Sequence, residues 1–325
     1  MSWGTSSNPA RFGFGQSVSD DRNLFLKMFG GEVLAAFQER VLTLDKHQVK
    51  TIGAGKSFQF PKTWKATSEY HTAGQEMLGN DIDTSEIVIT IDGLLVAHTA
   101  IYDLDQKMSH FDVTGEFSAE LGRALARTFD KNVMRQIILA ARTAADGPFP
   151  AGNVVTDATL TASGTIDGKA WIDGIRAARI ALFNKDVPEE GPFYMLVNAS
   201  VYDAIKYAKD SSGNYLVINR DFSAQTALQS REPYLEIDGV QVYKQRTIPS
   251  TNETADSTVY SKYRANYSTT TGIMWHPMAV ATLKLIGIGM ETERDTRRQE
   301  DFMVAKMAAG HGTLRPEAAV EFKTS

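Results

Sequence analysis

The chain contains no cysteine. Disulfides and thiolate metal sites are therefore excluded, which fits a protein made in a reducing compartment. It also lacks a long apolar run. The longest candidate, around 278–290, is interrupted by Lys284 and by small glycine and threonine positions, short of the roughly 18 apolar residues of a membrane span. The first sixteen residues, rich in Ser, Gly and Asn, have no apolar core of a secretory signal. A cationic surplus is missing too: the net charge is −5. A protein that grips nucleic acid along its backbone draws affinity from counterion release at Lys and Arg. This balance argues against tight binding of that kind and is compatible with a container that holds DNA without clinging to it.

Motifs of catalysis are absent or broken. Gly55-Lys56-Ser57 looks like the end of a phosphate-binding loop, but Lys50 stands where the earlier glycine belongs, and the residues after it read as a strand. Gly287-Ile288-Gly289 has Thr292 where a dinucleotide fingerprint needs its third glycine. Asp81-Ile82-Asp83 hints at a calcium loop whose glycine and closing glutamate are misplaced. The 6 histidines have no metal-ligand spacing, and no Gly-x-Ser-x-Gly elbow occurs. We therefore expect no catalytic, cofactor-binding or metal-binding residues and no cofactor. The aromatic residues sit mostly on periodic apolar faces and read as core before stacking platforms.

What remains is a chain of 325 residues, 42% hydrophobic and 22% charged, enough for a large core and more than one domain. Residues 1–20 read as an arm, followed by a helix over 23–40 with Leu26, Phe29, Val33 and Phe37 on one face. That helix either packs on its own domain or on a neighbouring subunit. Phe58 and Phe60 alternate with polar residues, and Ile87, Ile89 and Ile91 do the same, so 53–93 reads as an extended hairpin with a polar tip. Its outgoing arm is basic (Lys56, Lys62, Lys65) and its return arm acidic (Glu69, Glu76, Asp81, Asp83, Glu86). This is either a solvated surface or a charge-matched dock for another subunit.

A long helix is predicted over 116–145, with Phe117, Leu121, Leu125, Phe129, Val133, Ile137 and Ala141 as its stripe and Asp146-Gly147-Pro148 as its stop. A second helix is expected over 168–184, a buried strand over 193–197, and a helix over 201–209 capped by Asn198. A hairpin turning on Asp238-Gly239 follows. The Thr- and Ser-rich segment 250–272 is expected to be exposed, and strand character resumes through Val280, Thr282, Lys284 and Ile286.

Three segments carry a resemblance: 25–34 (FLKMFGGEVL), 89–95 (ITIDGLL) with Ile101-Tyr102-Asp103, and 310–319 (GHGTLRPEAA). Gly55-Lys56-Ser57 with Gln59-Phe60-Pro61 adds a fourth, and the middle, about 145–275, matches only in outline. In this order and spacing they resemble the major capsid proteins of T7-like short-tailed bacteriophages. The resemblance implies an α+β chain with the HK97 capsid fold. It implies an N-terminal arm at 1–52, an E-loop hairpin at 53–93, a P-domain split between 94–190 and 274–325, and an A-domain at 191–273. The implied role is a structural one, with hexamers and pentamers of the chain forming an icosahedral shell around double-stranded DNA. The implied partners are further copies of the chain, a scaffolding protein, a portal protein, the packaged DNA and a possible decoration protein, with no membrane. Assembly would occur in the host cytoplasm and the product would be part of the virion. The inter-subunit contacts expected on this basis are Phe25, Phe29, Val33, Phe37, Lys56, Phe60, Lys62, Trp64, Lys65, Glu69, Glu76, Asp81, Asp83 and Arg315. For Arg315, an ion-pairing or carbonyl-capping role in the last strand stands beside a loosely solvated one. The alternatives are an encapsulin-like compartment enclosing enzymes and, further off, a nucleotide-binding enzyme built on Lys56.

Overall fold

A computed structural model describes residues 43–71, 73–76, 79–108, 113–213, 216 and 234–324. The helix expected over 23–40, with Phe25, Phe29, Val33 and Phe37, lies outside the described residues. In chain order the strands are β1 (Gln48–Thr51), β2 (Ser57–Thr63), β3 (Thr84–Thr90) and β4 (Leu95–Tyr102). Then come helices α1 (Asp103–Met108) and α2 (Val113–Ala141), β5 (Asn153–Thr156), α3 (Gly168–Asn184), β6 (Phe193–Val197) and α4 (Ala199–Lys206). The remainder is β7 (Tyr234–Ile237), β8 (Val240–Lys244), β9 (Thr270–Trp275), β10 (Val280–Asp295), β11 (Glu300–Thr313) and β12 (Ala319–Lys323).

The described residues fall into two compact units. One contains Asp92–Asp130 and Lys284–Ala309; the other contains Thr43–Ile91, Lys131–Leu283 and Gly310–Ser325. Within the first, β4 pairs antiparallel with β11 from Leu95↔Met307 to Tyr102↔Glu300, and β10 flanks β11 on its other side. Arg294 holds the carboxylates of Asp103 and Asp301 there. The second unit is built on a six-stranded mixed sheet of order β5-β12-β9-β6-β8-β7. Alternation is lost in its middle because both faces are covered: every residue of β9 is buried.

The local signals explain why these elements form. Asp167 caps α3 by accepting the Lys169 N–H at 2.9 Å, and Trp171, Ile172, Ile175, Ala178 and Leu182 turn inward. Asp238 and Gly239 take φ of 50° and 73°, the left-handed pair that a two-residue hairpin between β7 and β8 requires. Asn198 stands at the N-cap of α4 with extended backbone, yet its side chain makes no cap bond, and the helix runs over 199–206, earlier than the predicted 201–209.

Two expectations need correction. The long helix α2 ends at Ala141, not near 145. Gly152 crosses its end so closely that a Cβ there would sit 2.3 Å from the Ala141 carbonyl, and the Gly152 N–H caps Thr143 at 2.9 Å. Nor is 250–272 exposed throughout: Glu253, Val259, Tyr263, Tyr267, Thr270 and Thr271 are buried between exposed neighbours. The hydroxyls reconcile this composition with burial by finding partners. Tyr267 donates to the Tyr263 carbonyl at 2.5 Å, Thr270 to Glu321 at 2.6 Å and Thr271 to the Phe322 carbonyl at 3.1 Å.

Buried charge is matched in the same region. The Arg142 guanidinium forks onto both oxygens of fully buried Glu321 at 2.6 and 2.7 Å, while Arg135 and Lys131 hold buried Glu253 at 2.7 and 3.2 Å. Burial alone would raise the Glu253 carboxyl, but these two cations bring it below the usual carboxylate range. The bond to Glu321, against the cost of burial, raises Arg142.

Candidate assembly surfaces

The hairpin β2–β3 of the second unit is exposed along most of its length. Its strands pair antiparallel from Ser57↔Thr90 to Thr63↔Thr84. Only one face of its root is apolar. Phe58, Phe60, Ile87, Ile91 and Ile52 pack against the buried set Ile89, Ala281, Leu283 and Leu314, and the Phe58 and Phe60 rings meet edge to face at 4.9 Å.

The C-terminal segment of the resemblance meets the hairpin exit segment at this root. A Cβ on Gly310 would lie 2.1 Å from the Thr90 carbonyl, and one on Gly312 would lie 2.6 Å from the Ile89 side chain. Only glycine lets β11 pass the hairpin at this distance.

Between the two glycines, His311 turns into the core. Its Nδ1 lies 2.8 Å from the Thr282 hydroxyl, which lies 2.7 Å from His47 Nε2, and His47 Nδ1 lies 2.5 Å from the Thr43 carbonyl. A carbonyl only accepts, so His47 carries its proton on Nδ1 and takes the Thr282 hydrogen on Nε2. Thr282 then accepts from His311 Nδ1–H, and the order of protons in the chain is fixed. The hydroxyl of Tyr263 accepts the His311 backbone N–H at 3.1 Å. Burial, with His47 and Lys262 nearby, pushes His311 down to about 3, and burial also lowers His47. His276, lowered by burial as well, reaches the Glu190 carbonyl through Nε2 at 3.1 Å while its Nδ1 accepts the Met278 N–H at 3.3 Å.

Further along the hairpin the contacts become few and polar. Trp64 stands edge-on to Phe149 at 5.4 Å, and its backbone N–H donates to the Asp83 carbonyl at 2.9 Å. Lys62 lies 3.7 Å from the Phe149 ring centre. Its ammonium is lowered by burial, with Glu317 and Asp146 opposing and Arg315 adding to the shift. Lys65 pairs with Asp186. Arg315 follows β11 at the cap of the short 3-10 helix Pro316–Ala318, with Glu317 4.0 Å away. Lys62, Trp64, Lys65 and Arg315 thus all have neighbours within their own chain. Lys56 is exposed; its carbonyl accepts the Ile91 N–H at 2.8 Å, and Phe60 is half-buried. Glu69, Glu76, Asp81 and Asp83 are exposed, as are Tyr70 and Ile82 beside them.

Gly55 and Lys56 lead into a strand, β2, and not into a helix. The backbone curl and helix N-terminus of a phosphate loop are both missing, which removes the nucleotide reading of Lys56. Sequence reasoning missed the His47–Thr282–His311 chain and the Arg142–Glu321 and Arg135–Glu253 pairs. Their partners stand between 29 and 235 positions apart, so no local pattern announces them. The glycines flanking His311 were the one available signal.

A family model described as "Gp10A-like: Major capsid protein" matches residues 59–323. The chain is 32% identical to the major capsid protein of Enterobacteria phage T3 over 94% of its own length and 93% of the relative's. It is 32% identical to the major capsid protein of Escherichia phage T7 over 93% and 92%. Among solved structures, the capsid of the cyanophage P-SCSP1u is similar at a TM-score of 0.79 and 33% identity, covering 95% of both chains.

Proposed function

Since this chain belongs to the Gp10A-like family of phage major capsid proteins, we propose that its exposed hairpin is the element through which copies join into hexamers and pentamers of an icosahedral shell. The chain is a structural protein of the phage virion, has the HK97-like fold and associates with copies of itself. The observation that carries the finer reading is the division of the hairpin. The root is packed and glycine-keyed, whereas the tip carries four carboxylates, Tyr70 and Ile82 into solvent.

A shell must assemble reversibly before it locks, so many modest contacts serve better than a few strong ones. A finger projecting from one copy onto the body of the next makes a heterologous contact, and such contacts close into rings. Double-stranded DNA is the cargo that fits a net charge of −5, held without sequence-specific binding. Its relatives being phage capsid proteins favours DNA over enclosed enzymes. A scaffolding protein during assembly, a portal at one vertex, a possible decoration protein outside and assembly in the host cytoplasm complete the proposal. In the domain plan, 1–52 would be the arm, 53–93 the E-loop, 94–190 with 274–325 the P-domain and 191–273 the A-domain.

The test is deletion of the hairpin tip, residues 66–80. The expected product is a folded chain, with unchanged circular dichroism, that gives no shells by negative-stain electron microscopy. Intact shells from the deleted chain would sink the reading.

A further inference from the structure

Just before β1 the chain makes a turn over 43–47, into which residues 1–42 lead. The Lys46 N–H closes it on the Thr43 carbonyl at 3.0 Å. The six-stranded sheet holds Lys46 from two directions. Its carbonyl accepts the Trp275 indole N–H at 2.9 Å, and its ammonium lies 5.3 and 4.5 Å from the centres of the Tyr194 and Tyr243 rings. Thr43 and His47 are buried, whereas Leu44, Asp45 and all of β1 are exposed. The turn is therefore fastened at a few named points and not by a packed apolar face, which is the pattern of a segment that opens locally. One of those points is the buried chain from the Thr43 carbonyl through His47 and Thr282 to His311.

That chain has no place for another proton. A proton added at His47 Nε2 makes a second N–H donor against Thr282, whose own hydrogen must then turn to His311 Nδ1, where a proton already sits. A proton added at His311 keeps the bonds but buries a cation. The groups facing the pair do not offset that charge. Asp45, exposed on the turn, faces His47, while Lys262, on the 3-10 helix Ser261–Tyr263, faces His311 as a like charge. The same helix offers the neutral Tyr263 hydroxyl, and β10 offers the neutral Thr282. Two imidazoliums would flank one hydroxyl at 2.7 and 2.8 Å. Water must reach the charge, and the smallest opening that admits it lifts out the turn carrying His47, because His311 is fixed in β11 between Gly310 and Gly312. We infer that 43–47 is an acid-sensitive latch: protonation of the His47–Thr282–His311 chain releases the turn while the six-stranded sheet stays folded, and so frees the point at which residues 1–42 are attached. Water then enters the space left by His47 and reaches His311. Both histidines sit below their ordinary value when closed, so the open form binds more protons and gains as pH falls below about 6.5. For His311 alone, the gain at pH 5 is about thirtyfold.

The absence of cysteine lets single thiols in the full chain report the opening. Thr43→Cys places a thiol at a fully buried position and keeps the backbone carbonyl that His47 needs. Leu44→Cys, exposed on the same turn, corrects for the effect of pH on the thiol itself. At pH 7.5 a maleimide should label Thr43→Cys at least about tenfold more slowly than Leu44→Cys, and at pH 5 most of that gap should close. Val197→Cys, buried in β6, should stay protected at both pH values. Adding His47→Gln, which keeps one donor and one acceptor without a titrating ring, should reduce the opening at pH 5. A gap that does not change with pH overturns the latch. So does opening of Val197→Cys in step with Thr43→Cys, or opening undiminished by His47→Gln. Should a substituted chain fold poorly, hydrogen exchange of the unsubstituted chain decides. Peptides spanning 43–51 should exchange at least about tenfold faster at pH 5 than the chemical effect of pH allows, and peptides spanning 193–197 should not; equal behaviour of the two overturns the inference.

Discussion

The root and the tip of the hairpin adjoin in sequence, yet the paired strands of the root and the unpaired chain of the tip have opposite relations to the rest of the protein. At the root, Phe58, Phe60, Ile87 and Ile89 find apolar partners, and glycines at 310 and 312 let β11 through. Beyond Trp64 and Lys65 the exposed side chains project into solvent, although they include Tyr70 and Ile82. A two-stranded ribbon is marginal alone in water. The root therefore carries the stability of the element and frees the tip to be selected for something else. In a shell protein the use we propose for it is contact with another copy.

The comparison breaks most sharply at Gly310. Gly310→Val places a branched side chain against the Thr90 carbonyl, a backbone atom that no rotamer change can move. The expected result is loss of the folded chain, a cost of more than about 3 kcal/mol, read by denaturant unfolding or by insolubility on expression. A stably folded variant would show that the root does not depend on this crossing.

Next comes the core behind the root. Arg142→Ala strands a fully buried carboxylate at Glu321. Because Arg142 is itself partly exposed, the lower end of the range for a broken buried pair applies, about 3 kcal/mol, measured as a fall in unfolding free energy. Glu321→Gln should cost less, since it removes the charge together with its need for a partner.

Acid should act on the buried histidines, two of which stand behind the root. His47, His276 and His311 have folded-state values below their ordinary one, His311 down to about 3. Below about pH 6.5 the unfolded chain binds more protons than the folded one, so stability falls as pH falls, and the loss grows until the folded values are reached. Down to pH 5.5 His311 alone accounts for up to about 1.4 kcal/mol. A thermal midpoint flat between pH 7 and pH 5 would contradict this, and His311→Gln should flatten the slope.

The smallest effect on the fold is expected at the tip. Tyr70→Ser should move the unfolding free energy by less than about 0.5 kcal/mol, because its side chain is fully exposed. The same change should slow or weaken shell formation, followed by light scattering. Equal losses of stability and assembly would mean that the tip is part of the fold after all.

How much was legible follows the same division. Elements specified by neighbours in sequence were readable: α3 from its period and Asp167, β6 from its apolar run, the β7–β8 turn from Asp238-Gly239. The root strands were readable from alternation. The end of α2 at Ala141 was not, because Gly152 sets it from eleven residues on. The buried positions within 250–272 were not, because Thr and Tyr bury well only once distant acceptors exist, and Thr270 needs Glu321. Of the expected contact residues, sequence marked the hairpin correctly as exposed and charged. It did not separate Lys62, Trp64 and Lys65, which brace the hairpin within the chain, from the bare carboxylates beyond them.

The glycine crossing also has a consequence in time. The root of the hairpin is spelled out before residue 92, but the strand that completes its packing arrives more than two hundred residues later. During synthesis, which proceeds from the N-terminus, the ribbon has no finished seat until β11 has been made past Gly312. A contact so distant in sequence is slow to form and comes late. A truncated chain ending before that point would present a tip without a fixed base. If the tip is the proposed contact between copies, such a chain should stay out of the shell, and finished molecules alone should enter the wall.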